Sequence, residues 1–307
     1  MPDVADRTLQ PTRRVVGDVD PAQPLDPTHP LLQGLVGFWL PLPNTSGGSR
    51  LYDFYAARNG DHVGSVTWDV GAEWGLPYLD LSSEESYVDA SSASGYLDGR
   101  GAITFLVGIR SPSTNNDYPI LGADTGVGDG QTQFRYDRQG NAGGGSNTIK
   151  AAVEMKDGGE SRLEAESNLQ TTDIQHIAYT WASGTSPDIY VDGKEVSYTS
   201  SPSPVSGSVS VPGLFFGAGY GGTWGGDYLY TVAFSRRISL NEYKFFYDQA
   251  RRGFPDLLRT RSSPTLVSTS GGGGGVTVFG SDIIQETDLE VGSISSIFTS
   301  SGNPITQ

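Results

Sequence analysis

The stretch HIAYTWASGTSPDIYVDGKEV, His176 to Val196, decides the fold. Ile177, Tyr179 and Trp181 alternate onto one face, the period-2 pattern of a strand with one apolar side. Asp192-Gly193, between DIYV and KEV, is a type I′ hairpin signal, because both central residues of that turn need positive φ. A histidine near two aspartates and several aromatics also resembles catalytic chemistry. The spacing instead assigns His176 to a strand start, outside any catalytic constellation, and predicts a strand followed by a hairpin.

The same alternation recurs outward from this stretch. In AITFLVGIR, Ile103, Phe105, Val107 and Ile109 share one face, and Thr104, Leu106, Gly108 and Arg110 share the other. DYLYTVAFSR repeats the pattern with Tyr228, Tyr230, Val232 and Phe234. Weaker strand candidates are QFRYDR, KAAVEM, SRLEAE and LFFGA, separated by loops such as SPSTNND and GNAGGGSN. Many short strands with Gly-rich turns predict an all-β fold, a two-sheet antiparallel jelly-roll sandwich. One segment departs from it. In SLNEYKFFYDQARRG, Ser239 and Glu242 form a capping box, and Leu240, Tyr243, Phe246, Tyr247 and Ala250 follow helical spacing. This predicts one short C-terminal helix over 240–252, stopped by Gly253 and Pro255.

Composition agrees: Gly 42, Pro 18, Tyr 15 and Phe 12 among 307 residues describe short aromatic runs between turns. The formal charge of −15 removes the sequence-wide attraction to phosphate that nucleic-acid binding needs. Residues 236–261 run against that trend, with seven Lys/Arg to three Asp/Glu, and read as a solvated basic helix face. With no cysteine, neither disulfides nor thiolate metal sites are expected. MPDVADRTLQPTRRVVGDVD has no apolar core for a signal peptide, and no run reaches the ~18 apolar residues of a membrane helix. Residues 1–28, with Pro2, Pro11, Pro21, Pro24 and Pro27, read as an extended arm. The sandwich is expected over 29–258, a Ser/Gly-rich linker over 259–275, and an acidic strand-like tail over 276–307.

Candidate chemistry is sparse. ETDLE places Glu286, Asp288 and Glu290 on alternate positions, as retaining glycoside hydrolases of the laminarinase type place their carboxylates. It lies beyond the pentaglycine, Thr287 replaces the usual aliphatic residue, and no catalytic residue is assigned. GAGYGG, Gly217 to Gly222, fits GxGxxG but precedes a loop and strand, where a dinucleotide fingerprint must open a helix. His29, His62 and His176 are far apart in sequence, and ADTGVGDG offers Asp124 and Asp129 without calcium-loop spacing. No metal site or cofactor is therefore expected. In GYGGTWGGDY, flat aromatics beside a carboxylate suit sugar rings, so Tyr220, Trp224, Asp227 and Tyr228 are the candidate carbohydrate-binding residues.

Four motifs in order, HPLLQGLVGFW, LYDFYAARNGDHVG, HIAYTWASGTSPDIYVDGKEV and LFFGAGYGGTWGGDYLYTVAFSRRISLNEYKFFYD, span His29 to Phe254. In them the chain resembles the concanavalin A-like lectin/glucanase (laminin-G-like) domains, of the single-copy type found in tailed-phage virion proteins. That resemblance, together with the arm and the tail, implies a non-enzymatic virion structural protein, a capsid decoration or head-fibre component. Such a protein would dock on the major capsid or other virion proteins through its arms, be homo-oligomeric, and sit on the virion surface after assembly in the host cytoplasm. A cell-surface glycan is a further expected partner; nucleic acid and membrane are not. The alternatives are a carbohydrate-binding module or adhesin and, second, a laminarinase-type glycoside hydrolase.

Overall fold

The computed structural model describes residues 25, 29–41, 50–70, 77–83, 85–125, 131–138, 146–199, 204–220, 222–254 and 257, and four short strands beyond them. The chain divides into two units, Met1–Arg259 and Thr260–Gln307. In the first, the strands are β1 (Leu35–Trp39), β2 (Arg50–Leu51), β3 (Gly60–Val63), β4 (Thr67–Val70), β5 (Pro77–Asp80) and β6 (Tyr87–Asp89). They continue as β7 (Ala102–Arg110), β8 (Pro119–Gly122), β9 (Gln133–Asp137), β10 (Thr148–Glu154), β11 (Glu160–Glu164) and β12 (Ile174–Ala182). The last are β13 (Asp188–Val191), β14 (Lys194–Glu195), β15 (Phe215–Phe216), β16 (Ala218–Gly219), β17 (Gly222–Thr223) and β18 (Asp227–Phe234), before helix α1 (Leu240–Arg251).

Two antiparallel sheets result. One runs β14-β13-β12-β7-β18-β5-β4 with β1 also on β18, and the other runs β11-β10-β9-β8-β15-β6-β3-β2. The expected two-sheet sandwich with one short helix is therefore what the chain forms. Alternation places Ile103, Phe105, Val107 and Ile109 of β7 and Ile177, Tyr179 and Trp181 of β12 in one buried cluster. Phe134 and Tyr136 of β9, Ile149, Ala151 and Val153 of β10, and Phe216 of β15 fill the same cluster from the opposite sheet. Each fully buried side chain of this kind contributes about 1.5–3 kcal/mol.

The first sheet buries its outer face too. Leu106, Ala178, Tyr190, Tyr230, Val232 and Phe234 form a second cluster with Tyr243, Phe246 and Ala250 of α1 and with Leu32, Leu35 and Phe38. Leu25, inside the stretch expected to be a coreless arm, joins this cluster; the rest of 1–28 lies outside the described residues. Gly108 is needed here because a Cβ would lie 2.4 Å from the Tyr230 ring. The helix is capped as expected. The Ser239 hydroxyl accepts from the Glu242 N–H at 3.3 Å, and the Ser239 N–H donates to the Glu242 carboxylate at 2.8 Å. It ends at Arg251, with Gly253 at φ +76°.

The hairpin also forms. Asp192 (φ +47°) and Gly193 (φ +83°) make a two-residue turn, with Val191 opposite Lys194. His176 is the third residue of β12 and is buried, its Nδ1 3.0 Å from the Tyr230 hydroxyl. In the second unit Thr265–Ser268 pairs with Val276–Phe279, and Ile297–Phe298 pairs with Pro304–Ile305. The stretch read as a linker thus carries a strand, and strands of the tail pair within their own unit.

Candidate functional site

The four aromatic and acidic residues expected to meet a sugar do not share a surface. Gly217 (φ +76°) turns the chain into the β16–β17 hairpin, where the Gly217 carbonyl accepts from the Trp224 N–H at 2.8 Å. Trp224 then enters the core with 0% exposure, against the edges of Tyr118 and Tyr136, and its Nε1 donates to the Asp227 carbonyl at 3.2 Å. Tyr228 is 1% exposed, stacks on Phe216, and accepts from the Thr231 hydroxyl at 2.9 Å. A ring enclosed on both faces cannot stack on a pyranose, so Trp224 and Tyr228 are corrected here from ligand platform to core. A register irregularity between Tyr228 and Tyr230 in β18 puts Tyr228 in the cluster between the sheets, while Tyr230, Val232 and Phe234, expected on the same face as Tyr228, join the outer cluster. Trp224, in the loop before β18, packs into the inner cluster with Tyr228.

Asp227 and Tyr220 have other partners. Asp227 is half-buried and accepts from Arg110 Nε at 2.6 Å, while Arg110 also lies over the Tyr78 ring. Burial pushes the Asp227 carboxyl up, Arg110 pulls it down, and Asp80 and Asp69 push it up again. Tyr220 is half-buried with the Arg135 guanidinium 4.2 Å from its ring centroid. Arg135 belongs to a charged row across the second sheet, opposite Lys150, which stands opposite Glu164. All three are 1% exposed, and Asp137 lies 2.9 Å from Arg135 and 3.8 Å from Lys150. This network is closed to solvent and holds the sheet's outer side.

The exposed aromatic surface lies elsewhere, around the loop after β2. Asp53 is buried, and its carboxylate accepts from the N–H groups of Phe38 (2.9 Å), Tyr55 (2.9 Å), Ala56 (3.2 Å) and Arg58 (3.1 Å). Burial raises its pKa, against the pull of those four bonds. The Asn59 side chain accepts from the Asp53 N–H at 3.0 Å, and Ala57 takes a positive φ of 56°. Trp39 Nε1 donates to the Arg58 carbonyl at 2.9 Å, tying the loop to β1. The loop is therefore organised around one acceptor, as aspartate arranges turns generally.

This loop meets the 3-10 helix Ser91–Tyr96. The Arg58 guanidinium lies 3.4 Å from the Tyr96 ring centroid and donates through Nη1 to the Val36 carbonyl. The Ser92 hydroxyl donates to the Asn59 carbonyl at 3.3 Å. Tyr52, Tyr55 and Tyr96 are 38%, 42% and 47% exposed, three of the four large hydrophobic side chains this open among the described residues. A fixed loop presenting open tyrosine rings can stack on sugar rings at little cost in side-chain entropy. The sequence reading used LYDFYAARNGDHVG for fold resemblance alone. The signal available was two tyrosines flanking Asp53, and Tyr96, distant in sequence, could not be joined to them without the fold.

Other chemistry does not assemble. Among the described residues no group of three or more His, Cys, Asp or Glu side chains could hold a metal ion. Asp124 is exposed, while Asp129 and the run Glu286, Asp288, Glu290 lie outside the described residues. Ala218–Gly219 of GAGYGG pairs with Gly222–Thr223 as a hairpin beside β8, where a Cβ on Gly217 would lie 2.5 Å from Leu81 and one on Gly219 3.2 Å from Pro119, so these two glycines serve close packing. His29 accepts from the Leu31 N–H and stacks on Phe245, and His62 lies in β3.

Residues 82–238 match the sequence model described as the concanavalin A-like lectin/glucanases superfamily, and the chain belongs to that family. Similar solved structures include the binding domain of the Paraclostridial Mosquitocidal Protein 1, at 12% identity and a TM-score of 0.52, covering 71% of this chain and 53% of that one. A Trypanosoma rangeli sialidase aligns at 16% identity and a TM-score of 0.50, over 74% of this chain and 36% of its own. The chain thus spans about half of the first structure and about a third of the second. These likenesses concern the fold. No curated protein sequence matches the chain.

Proposed function

We propose that this protein is a non-enzymatic lectin-like module that binds carbohydrate through the Asp53 loop and the 3-10 helix Ser91–Tyr96. The observation that carries the reading is an exposed ring at Tyr55 on a loop fixed by four hydrogen bonds to one carboxylate, joined through Arg58 to the exposed Tyr96 of the 3-10 helix. A glycan array tests it with the full chain beside Tyr55→Ala and Tyr96→Ala. Binding weakened by both changes, in proteins that melt like the parent, supports the reading. Absence of binding to every glycan refutes it.

The wider setting we propose is a virion surface, with the module serving as a capsid decoration or head-fibre component held through its terminal segments, reached after assembly in the host cytoplasm. Support comes from the separate C-terminal unit and from the Pro-rich N-terminal sequence. Strand addition to a neighbour's sheet edge would supply the affinity, and repeated copies on a lattice would offset the ordering entropy. Deleting residues 1–28 or 260–307 should abolish particle association in at least one case; if both truncated chains still associate, the docking account fails. Hydrolysis of a β-glucan that Glu286→Gln abolishes would overturn the non-enzymatic reading.

A further inference from the structure

We infer that the ligand of the Tyr55–Tyr96 surface is an acidic sugar, one that carries a carboxylate, as sialic and uronic acids do. The inference rests on the carbohydrate-binding reading above and names the ligand class of the same site. Its basis is a pair of arginines. Arg58 lies over the Tyr96 ring, and Arg100 donates through Nε to the Tyr96 backbone carbonyl at 3.1 Å, so one guanidinium meets the side chain and the other the main chain of one exposed residue. Neither has a carboxylate partner among the described residues. The neighbouring charges are already engaged: Lys156 pairs with Asp98 at 2.6 Å, and Arg50 with Asp61 at 2.9 Å. Asp89 accepts from the Ser91 N–H, and Asp53 is buried under its four backbone donors.

In a chain of net charge −15, two arginines without a carboxylate partner among the described residues meet at one exposed tyrosine, Arg58 at its ring and Arg100 at its backbone carbonyl. The guanidinium is planar and always charged, and its parallel N–H groups match a carboxylate in bidentate geometry. Arg58 is also pre-arranged. Its stacking on Tyr96 and its bond to the Val36 carbonyl fix the side chain before any ligand arrives, which reduces the entropy lost on binding. The Tyr55 ring and the face of Tyr96 not covered by Arg58 would take the pyranose ring, and the two arginines its acidic substituent. A neutral sugar would use the tyrosine rings alone.

The test uses the full chain with two matched pairs of probes: 3′-sialyllactose against lactose, and a galacturonic acid trimer against a galactose trimer. The expected result is that one acidic probe binds ~10-fold or more tightly than its neutral partner at low salt, with the advantage shrinking as ionic strength rises. Which pair shows it identifies the acid. Arg100→Gln should remove much of the advantage. Arg58→Gln should do the same, and because Arg58 also braces the loop, the exposed Arg100 gives the cleaner variant. Equal binding within both pairs, or an advantage that survives both substitutions, overturns the inference. If such binding is still lost in Tyr96→Ala, the carbohydrate-binding reading stands without it. If none of the probes binds while the array detects another glycan through Tyr96, the acidic class is wrong; if nothing binds anywhere, both readings fall.

Discussion

Acidification should weaken the sandwich through His176. The side chain is 4% exposed, between the first sheet and α1, with Nδ1 3.0 Å from the Tyr230 hydroxyl and its ring edge-on to Tyr247. Its backbone is held as well: the N–H donates to Asp192 Oδ1 at 2.9 Å, and the carbonyl accepts from the Tyr243 hydroxyl. Burial, with the nearby Arg251 charge, pushes its pKa down from 6.5 to about 4. The folded state therefore holds this proton less readily than the unfolded chain does. The stability is fully present above the unfolded value of 6.5 and is lost progressively as pH falls towards 4. The whole span corresponds to about 3 kcal/mol, of which about 2 kcal/mol is already lost between pH 7 and 5. For a domain of this size that is roughly 4–8 °C in Tm.

Melting curves at pH 7 and pH 5 for the parent and for His176→Gln provide the assay. Asp53, Asp192, Asp227 and Glu154 have raised values and act with the opposite sign, and His62 has a lowered value and acts with the same sign. All of these are present in both proteins, so the difference between them isolates position 176. The parent should lose roughly 4–8 °C more than the variant on going from pH 7 to 5. An NMR titration should show the His176 ring resonances unmoved across that range. Equal losses in the two proteins would refute the reasoning.

Three further substitutions test the packing. Trp224→Ala should cost about 3–5 kcal/mol, seen as a lower denaturant midpoint, because a fully buried indole is removed from the main core. Gly108→Ala should destabilise by about 1–3 kcal/mol in thermal melts, because the new methyl group meets the Tyr230 ring. Ser239→Ala should cost about 1 kcal/mol through the lost cap, measurable as a small drop in Tm.

The fold was legible where periodicity and turn chemistry agreed. AITFLVGIR and HIAYTWA each name their own inward faces, and Ile103, Phe105, Ile177 and Trp181 are in the core as alternation requires. Asp192-Gly193 and the Ser239–Glu242 box are local devices whose geometry follows from a few adjacent residues. The site was far less legible. Aromatics in a Gly-rich loop look alike whether they turn out to solvent or in to the core, and Trp224 turned in.

By itself, the sequence determined an all-β sandwich closed by one capped helix, because a strand's period of two and a helix's 3.6 are properties of neighbouring residues. It also determined a strongly acidic chain without cysteine chemistry. The tertiary structure alone decided that the first sheet is covered on its outer face by α1 and that His176 lies beneath it. It alone also joined Arg58 to Tyr96 and Arg100 to the same tyrosine. Burial and charge pairing depend on which distant segments meet, and no local pattern records that meeting.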